Sequence, residues 1–204
     1  MSRQGLSNAT ALGAAIGQLH VAFAQCESLE GFATFGDPSR AIVAALRAER
    51  PAGCDVEHLA TIVATLRSTD ALPPTFIHRD PHPGNLLFAD GQLAGVLDFD
   101  LLMRGPRLFD PCYCATSMLI ARCTDEADRT EWFDVLRAIC AGYGRMVPLT
   151  MAEQSGMFTM LAVIQLIFIL SSLRTQRPDA ARLNQRALLW LHGNRQPVEE
   201  AITV

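Results

Sequence analysis

Residues 75–111 hold two His, five Asp and one Asn within 37 positions, and apolar runs of strand length are threaded between them. Leu86-Leu87-Phe88 and Leu93 to Leu97 read as two short strands, joined by Ala89-Asp90-Gly91-Gln92. An Asp-Gly pair between apolar runs is the strongest short-range hairpin signal, because the tight turn needs residues that accept positive φ. Pairing the strands brings Asn85, just before the first, beside Asp98, just after the second. Asp80 lies five residues upstream of Asn85, on the loop that Phe76-Ile77 leads into. One amide and two carboxylates therefore converge at one end of a hairpin.

That set of groups suits phosphoryl transfer. One carboxylate orients an attacking hydroxyl and accepts its proton, while an amide oxygen and a second carboxylate hold Mg²⁺ against nucleotide phosphates. His78-Arg79-Asp80-x-x-x-x-Asn85, followed by Leu97-Asp98-Phe99-Asp100, resembles the catalytic and metal-binding motifs of the aminoglycoside phosphotransferase family. That family is related to choline kinases and, more distantly, to protein kinases. Pro81-His82-Pro83-Gly84 and Gly105-Pro106-Arg107-Leu108-Phe109-Asp110 match its C-terminal lobe. The resemblance implies a mostly α (α+β) fold, a protein-kinase-like C-terminal lobe in which a helical bundle carries the catalytic loop on one small β-hairpin. It implies Asp80 as catalytic base with His78 beside it, although His78 often packs structurally in the family. Asn85 and Asp98 become the ligands of Mg²⁺ and, through it, of ATP. Arg79, His82, Asp100 and Asp110 are accessory, Asp110 by hydrogen-bonding the catalytic loop. Arg104 and Arg107 are expected to tether Asp110 rather than to reach phosphates.

The rest of the chain reads as helices around this stretch. With 204 residues, half of them hydrophobic, it is long enough for one domain with a substantial core. Residues 8–74 are read as helical, 75–110 as catalytic loop, hairpin and metal motif, 111–193 as helical and 194–204 as a loose tail. Leu12, Ile16, Leu19 and Phe23 recur at helical steps over residues 8–25, and His20 on that apolar side is expected to pack in the core. Asp37-Pro38 opens a helix to about Glu49, and Asp55 caps another to Arg67. Asp110-Pro111 begins one through Ile120. Thr124 or Asp125 caps a helix to about Ala141, with Gly142 and Gly144 suited to its end. Thr150-x-x-Glu153 is a capping box for a long apolar helix, and residues 179–192 are amphipathic, with Gly193 as C-cap.

Charge and cysteine usage narrow the functional classes. A formal net charge of −4 argues against non-specific nucleic-acid binding, which wants a basic face. Six Cys without a C-x-x-C pair read as scattered reduced thiols in a cytoplasmic protein. Met157 to Leu170, about 14 residues, is short of the roughly 20 a membrane span needs. Asp125, Glu126, Asp128, Glu131 and Asp134 form an acidic run that would suit a cationic small-molecule acceptor, or is simply a solvated face.

The implied family also has a β-rich N-terminal lobe that clamps ATP with a Gly-rich loop and a Lys. All 17 basic residues here are Arg, no G-x-G-x-x-G occurs, and the first helix starts near residue 8, so the chain reads as the C-terminal lobe alone. Three readings stay open. The chain is a small-molecule phosphotransferase whose N-lobe comes from a partner; or a non-catalytic scaffold binding a partner or a second copy; or a fold repurposed for acid/base chemistry by Asp80, His78 and His82 without ATP. An apolar patch is expected on the face the missing lobe would cover.

Overall fold

The computed structural model describes residues 3–26, 31–69, 71–121 and 130–202. Among them, α1 (Arg3–Phe23), α2 (Ser39–Glu49) and α3 (Val56–Ala64) precede four short strands, β1 (Pro74–Ile77), β2 (Leu86–Ala89), β3 (Gln92–Val96) and β4 (Met103–Pro106). Then come α4 (Phe109–Ile120), α5 (Trp132–Met146), α6 (Met151–Arg174), α7 (Pro178–Gly193) and α8 (Arg195–Ile202). The mostly helical architecture with a small antiparallel sheet component is the one the motifs imply.

Helix α6 is the spine. The Thr150–Glu153 capping box forms as read, with Thr150 Oγ1 accepting from Glu153 N and Thr150 N donating to Glu153 Oε2. Fourteen of its residues are buried, because one side packs into the cluster of α1, α4 and α5 while Ala162, Leu166 and Ile169 face α2 and α3. A helix apolar on every side is one buried on every side. Its length and composition alone would also let it cross a membrane; here that surface is taken up by the core. Arg107 closes its start, bonding Glu153 through Nε (2.6 Å to Oε1) and Nη2 (2.8 Å to Oε2). Arg107 therefore tethers Glu153, not Asp110, correcting the expectation from sequence. Burial would raise the Glu153 pKa, but the bonds from Arg107 and Thr150 win and hold it below the usual glutamate value.

Helices α1 and α5 cross so closely that glycine is required on both. A Cβ on Gly13 would lie 2.0 Å from the Ile139 carbonyl oxygen, and one on Gly142 would lie 2.0 Å from that of Thr10. Gly142 is thus interior to α5, not a helix end, and α5 runs on to Met146. The cap expected at Thr124 or Asp125 lies outside the described residues. Asp55 does cap, accepting from His58 N (3.0 Å), whereas the N-cap of α2 is Pro38 and Asp37, one residue before it, accepts from Ser39 N (2.9 Å). Over residues 195–202 the expected tail is instead α8, since Val198, Ala201 and Ile202 share one face and are buried; Arg195 adds a cation–π contact with Phe158, 4.7 Å from the ring centroid. Five described cysteines are free, and Cys123 lies outside the described residues. Burial pushes the thiols of Cys114 and Cys140 up to about 12.

Two stability predictions follow from this packing. Gly13→Ala and Gly142→Ala should each cost about 2 kcal/mol or more, while Gly144→Ala, where nothing lies within 4 Å, should be neutral or stabilising by up to about 1 kcal/mol; thermal melts compare them, and equal shifts for all three would refute the close crossing. Glu153→Gln should cost about 3 kcal/mol at pH 7 by leaving Arg107 unpaired. Because the folded Glu153 pKa is depressed, the wild-type advantage is present above the unfolded value of 4.5 and is lost as pH falls through the lower folded value. Urea titrations followed by Trp fluorescence from pH 7 to 3 should show the gap closing.

Candidate active site

Two antiparallel pairs position the site. In the first, β2 pairs with β3, Leu86 opposite Val96, with a register shift at Leu87/Phe88. The turn forms as the sequence dictates, Asp90 and Gly91 both at positive φ (51° and 76°). Leu97 N donates to the Asn85 carbonyl (2.9 Å), so Asn85 lies opposite the residue before Asp98 at one end of the hairpin. The second pair was not legible. β1 pairs with β4, Ile77 opposite Met103 and Pro74 opposite Pro106, and brings the start of the catalytic loop back to the start of α4.

There Asp110 waits, wholly buried. Its Oδ2 accepts from His78 N (2.8 Å) and its Oδ1 from Arg79 N (2.9 Å), while His20 Nε2 donates to Oδ2 (2.9 Å). His20 is held from behind by the Tyr143 hydroxyl, 2.8 Å from Nδ1. The core reading of His20 thus gains a purpose: it supplies the third donor to a buried carboxylate. Asp110 lies inside the first turn of α4 and caps the catalytic loop instead of its own helix.

His78 is wholly buried as well. Its Nδ1 accepts from Asp80 N (3.2 Å), which fixes the proton on Nε2, and Nε2 donates to the Leu97 carbonyl (2.8 Å). With no ring nitrogen left over, His78 holds the loop to the Asp98 segment rather than offering a proton to a substrate. Arg79 sits at φ 71°, a left-handed conformation that its two neighbouring bonds to Asp110 over-determine. Its guanidinium turns inward, 5.8 Å from the Phe35 centroid and 5.9 Å from that of Phe109, and burial lowers its pKa against the pull of Asp110.

Asp80 is the one carboxylate at the centre that is both oriented and open, its side chain 22% exposed. Oδ1 accepts from the Tyr113 hydroxyl and Oδ2 from Asn85 Nδ2 (3.1 Å), which also donates to the Asp80 carbonyl (2.9 Å). Burial, then the bond to Asp80, push the Tyr113 phenol well up, so it stays a donor at neutral pH. Since Asn85 faces acceptors only, its NH₂ must point at Asp80 and its Oδ1 points elsewhere. Asp98, at φ 61°, is exposed, as is Asp100, and neither carboxylate has a side-chain partner among the described residues. His82 is half-buried, its Nδ1 accepting from Gly84 N and its Nε2 3.9 Å from Asp80 Oδ2. No group of three or more His, Cys, Asp or Glu able to hold a metal occurs among the described residues. The pair Asn85 Oδ1 and Asp98 is nonetheless an oxygen donor set of the kind a hard cation takes when it keeps several waters. Of the acidic run, Asp125, Glu126 and Asp128 lie outside the described residues, and Asp134 pairs with Arg137 (2.5 Å). Sequence reasoning did not single out Tyr113; its place one helical turn beyond Asp110 is the signal that would have found it.

Comparison with known proteins agrees with this geometry. The phosphotransferase enzyme family matches residues 3–151. The chain is 34% identical over 170 residues to a homoserine kinase of Gluconacetobacter diazotrophicus, covering 79% of this chain and 51% of that protein. It is 30% identical over 169 residues to a homoserine kinase of Afipia carboxidovorans, covering 80% and 50%. The chain thus spans about half the length of the curated relatives it matches. Among solved structures, the gentamicin complex of the aminoglycoside phosphotransferase APH(2")-IIa shares the fold at a TM-score of 0.55 and 18% identity, over 93% of this chain and 64% of that one. From a locked loop presenting Asp80 to the match across most of its length, the chain belongs to the phosphotransferase enzyme family, with the kinase-like fold of its small-molecule members.

Proposed function

We propose that this chain carries the proton-accepting and metal-holding part of an ATP-dependent phosphotransferase acting on the hydroxyl of a small molecule in the cytoplasm. The observation that carries this reading is Asp80, aimed by bonds to both of its oxygens yet still open on one side. A carboxylate has about four lone-pair sites, so two donors leave room for an incoming hydroxyl. Asp80 orients that hydroxyl and takes its proton, which contributes about 10²–10⁴ in rate. Asn85 Oδ1 and the Asp98 carboxylate would hold Mg²⁺, which when bound neutralises charge on the nucleotide phosphates. His78 and Asp110 position Asp80 and Leu97 without touching the reactants.

Homoserine, the substrate in the names of the relatives, is the first acceptor to test. Two features support a partner for the face above the loop. With no Lys in the chain, a lysine clamp on the phosphates has to come from elsewhere. Around the loop, Phe32, Leu97, Phe99 and Leu101 are exposed, and Phe23 touches both Phe76 and Phe99. We read this strip as the seat of a second lobe or subunit.

The reading is tested by Mn²⁺ titration and by transfer of labelled phosphoryl from ATP to L-homoserine. Wild type should bind Mn²⁺ weakly and Asp98→Ala not at all, with Asp80→Ala losing at least about 10²-fold in transfer while keeping its circular dichroism spectrum. Identical titrations for wild type and Asp98→Ala, or transfer unchanged in Asp80→Ala, would overturn it.

A further inference from the structure

Next to the catalytic loop, between α2 and α6, lies an open cleft of about 390 Å³. Phe35, Ile42, Ile167 and Leu170 give it apolar walls, and the half-buried Arg79 is set among them. Asp80, Asn85 and Asp98 do not line it, so the cleft lies outside the reaction centre while sharing a loop with it.

Arg79 is a cation without a partner. A guanidinium carries five N–H donors, yet the Arg79 side chain makes no hydrogen bond or ion pair among the described residues, and its Nε is buried unmatched. Asp110 pulls on it only through space, both oxygens of that carboxyl already taking three other donors. The rings of Phe35 and Phe109 lie 5.8 and 5.9 Å from the guanidinium carbon; they offset part of its charge but leave its donors unmatched. Burying a cation in this way is unfavourable, and an anion that joins it removes the cost.

The rest of the cleft selects the kind of anion. Arg174 at its rim is already paired with Glu49, Nε and Nη2 both donating to Oε1 (3.0 and 2.7 Å), which leaves Arg79 as the cation to be matched. The Ser171 carbonyl accepts from Thr175, while its exposed hydroxyl has no partner among the described residues. No Asp or Glu lines the cleft, so an ammonium finds no counter-charge there. One guanidinium matches one carboxylate, which it can hold by two parallel bonds. The aliphatic and aromatic walls want a hydrocarbon body behind that carboxylate, and the volume falls in the range of roughly 300–1,000 Å³ usual for small-molecule sites.

We propose that this cleft is a binding site for a small aliphatic carboxylate, whose charged end pairs with Arg79 and whose hydrocarbon body lies on Phe35, Ile42, Ile167 and Leu170. Such a ligand grips the catalytic loop one residue before Asp80 without entering the reaction centre. The site stands whether or not Asp80 accepts a proton, so it does not rest on the phosphotransferase reading.

The test is binding without nucleotide or metal. Ligand-observed NMR on the chain compares 4-methylpentanoate with 4-methylpentanamide and with acetate at millimolar concentration, and the Arg79 Nε–H resonance is followed. The carboxylate should bind at least about tenfold more tightly than its neutral amide, as a charge-assisted pair requires, and should shift the Nε–H resonance. It should also bind at least about tenfold more tightly than acetate, which lacks the apolar body. Arg79→Met keeps an unbranched stem and should weaken binding at least about tenfold. Ser171→Glu, at an exposed position of α6 away from the loop, puts a fixed carboxylate into the cleft and should weaken binding as much with the melting temperature unchanged. Asp80→Ala should bind as wild type does. Equal binding of carboxylate and amide, undiminished binding in Arg79→Met or Ser171→Glu, loss of binding in Asp80→Ala, or no binding of the carboxylate would overturn the proposal.

Discussion

The buried carboxylate of Asp110 is the constraint on which the rest of the site depends. A carboxyl group out of water is costly unless hydrogen bonds compensate it, and Asp110 is compensated three times, by His20 Nε2 and by the amides of His78 and Arg79. Its place in the first turn of α4 adds the favourable end of the helix dipole. Each donor comes from a different distance along the chain, from α1 and from the catalytic loop. Satisfying Asp110 therefore fixes the loop against both α1 and α4, and the positive φ of Arg79 is held at no further risk of relaxation.

From Asp110 the order propagates bond by bond. The His78 backbone is fixed by Asp110, its ring bonds the Leu97 carbonyl, and Leu97 N bonds the Asn85 carbonyl. The Asn85 amide then bonds Asp80, whose other oxygen takes the Tyr113 hydroxyl from α4. The network closes on the helix where it began. Preorganised groups of this kind need no rearrangement when charge develops, which is where electrostatic catalysis gains most. It also explains why Arg79, beside the site, sits at positive φ: strain persists where surrounding bonds over-determine it.

What the sequence revealed and what it hid divide along the range of the interactions. The Asp90-Gly91 hairpin, the Thr150 capping box and the cap at Asp55 are decided within a few residues, and all were legible. The β1–β4 pair spans the whole catalytic stretch, and Met103-Arg104-Gly105-Pro106 carries turn chemistry with no strand alternation, so nothing local announces it. Gly142 reads as a helix end because glycine usually marks one; its real cause, the Thr10 carbonyl on another helix, has no local trace. Arg107 and Asp110 are close in sequence and opposite in charge, which favours pairing them on paper. The competing partner, Glu153, is 46 residues away and appears only in the fold. Likewise Val198, Ala201 and Ile202 look like a frayed end until α5 and α6 supply a surface for them.

The exposed aromatic strip belongs to the same mechanical unit as the catalytic loop. Phe99 packs on the His78 ring at 4.8 Å between centroids and reaches Phe23 on α1, while Phe32 packs on Phe76, two residues before His78. Any surface that covers this strip presses on Phe99, and through it on the ring whose Nε2 holds Leu97. Asp98 follows Leu97 directly and has no side-chain partner of its own among the described residues, so its carboxylate is the freest member of the site and the one most open to adjustment. The rigid side of the site, Asp80 and Asn85, is anchored from below by Asp110 and Tyr113. Its adjustable side, Asp98, is anchored through groups that reach the surface. A body seated on the aromatic strip would thus bear on the Asp98 side of the site while leaving Asp80 in place.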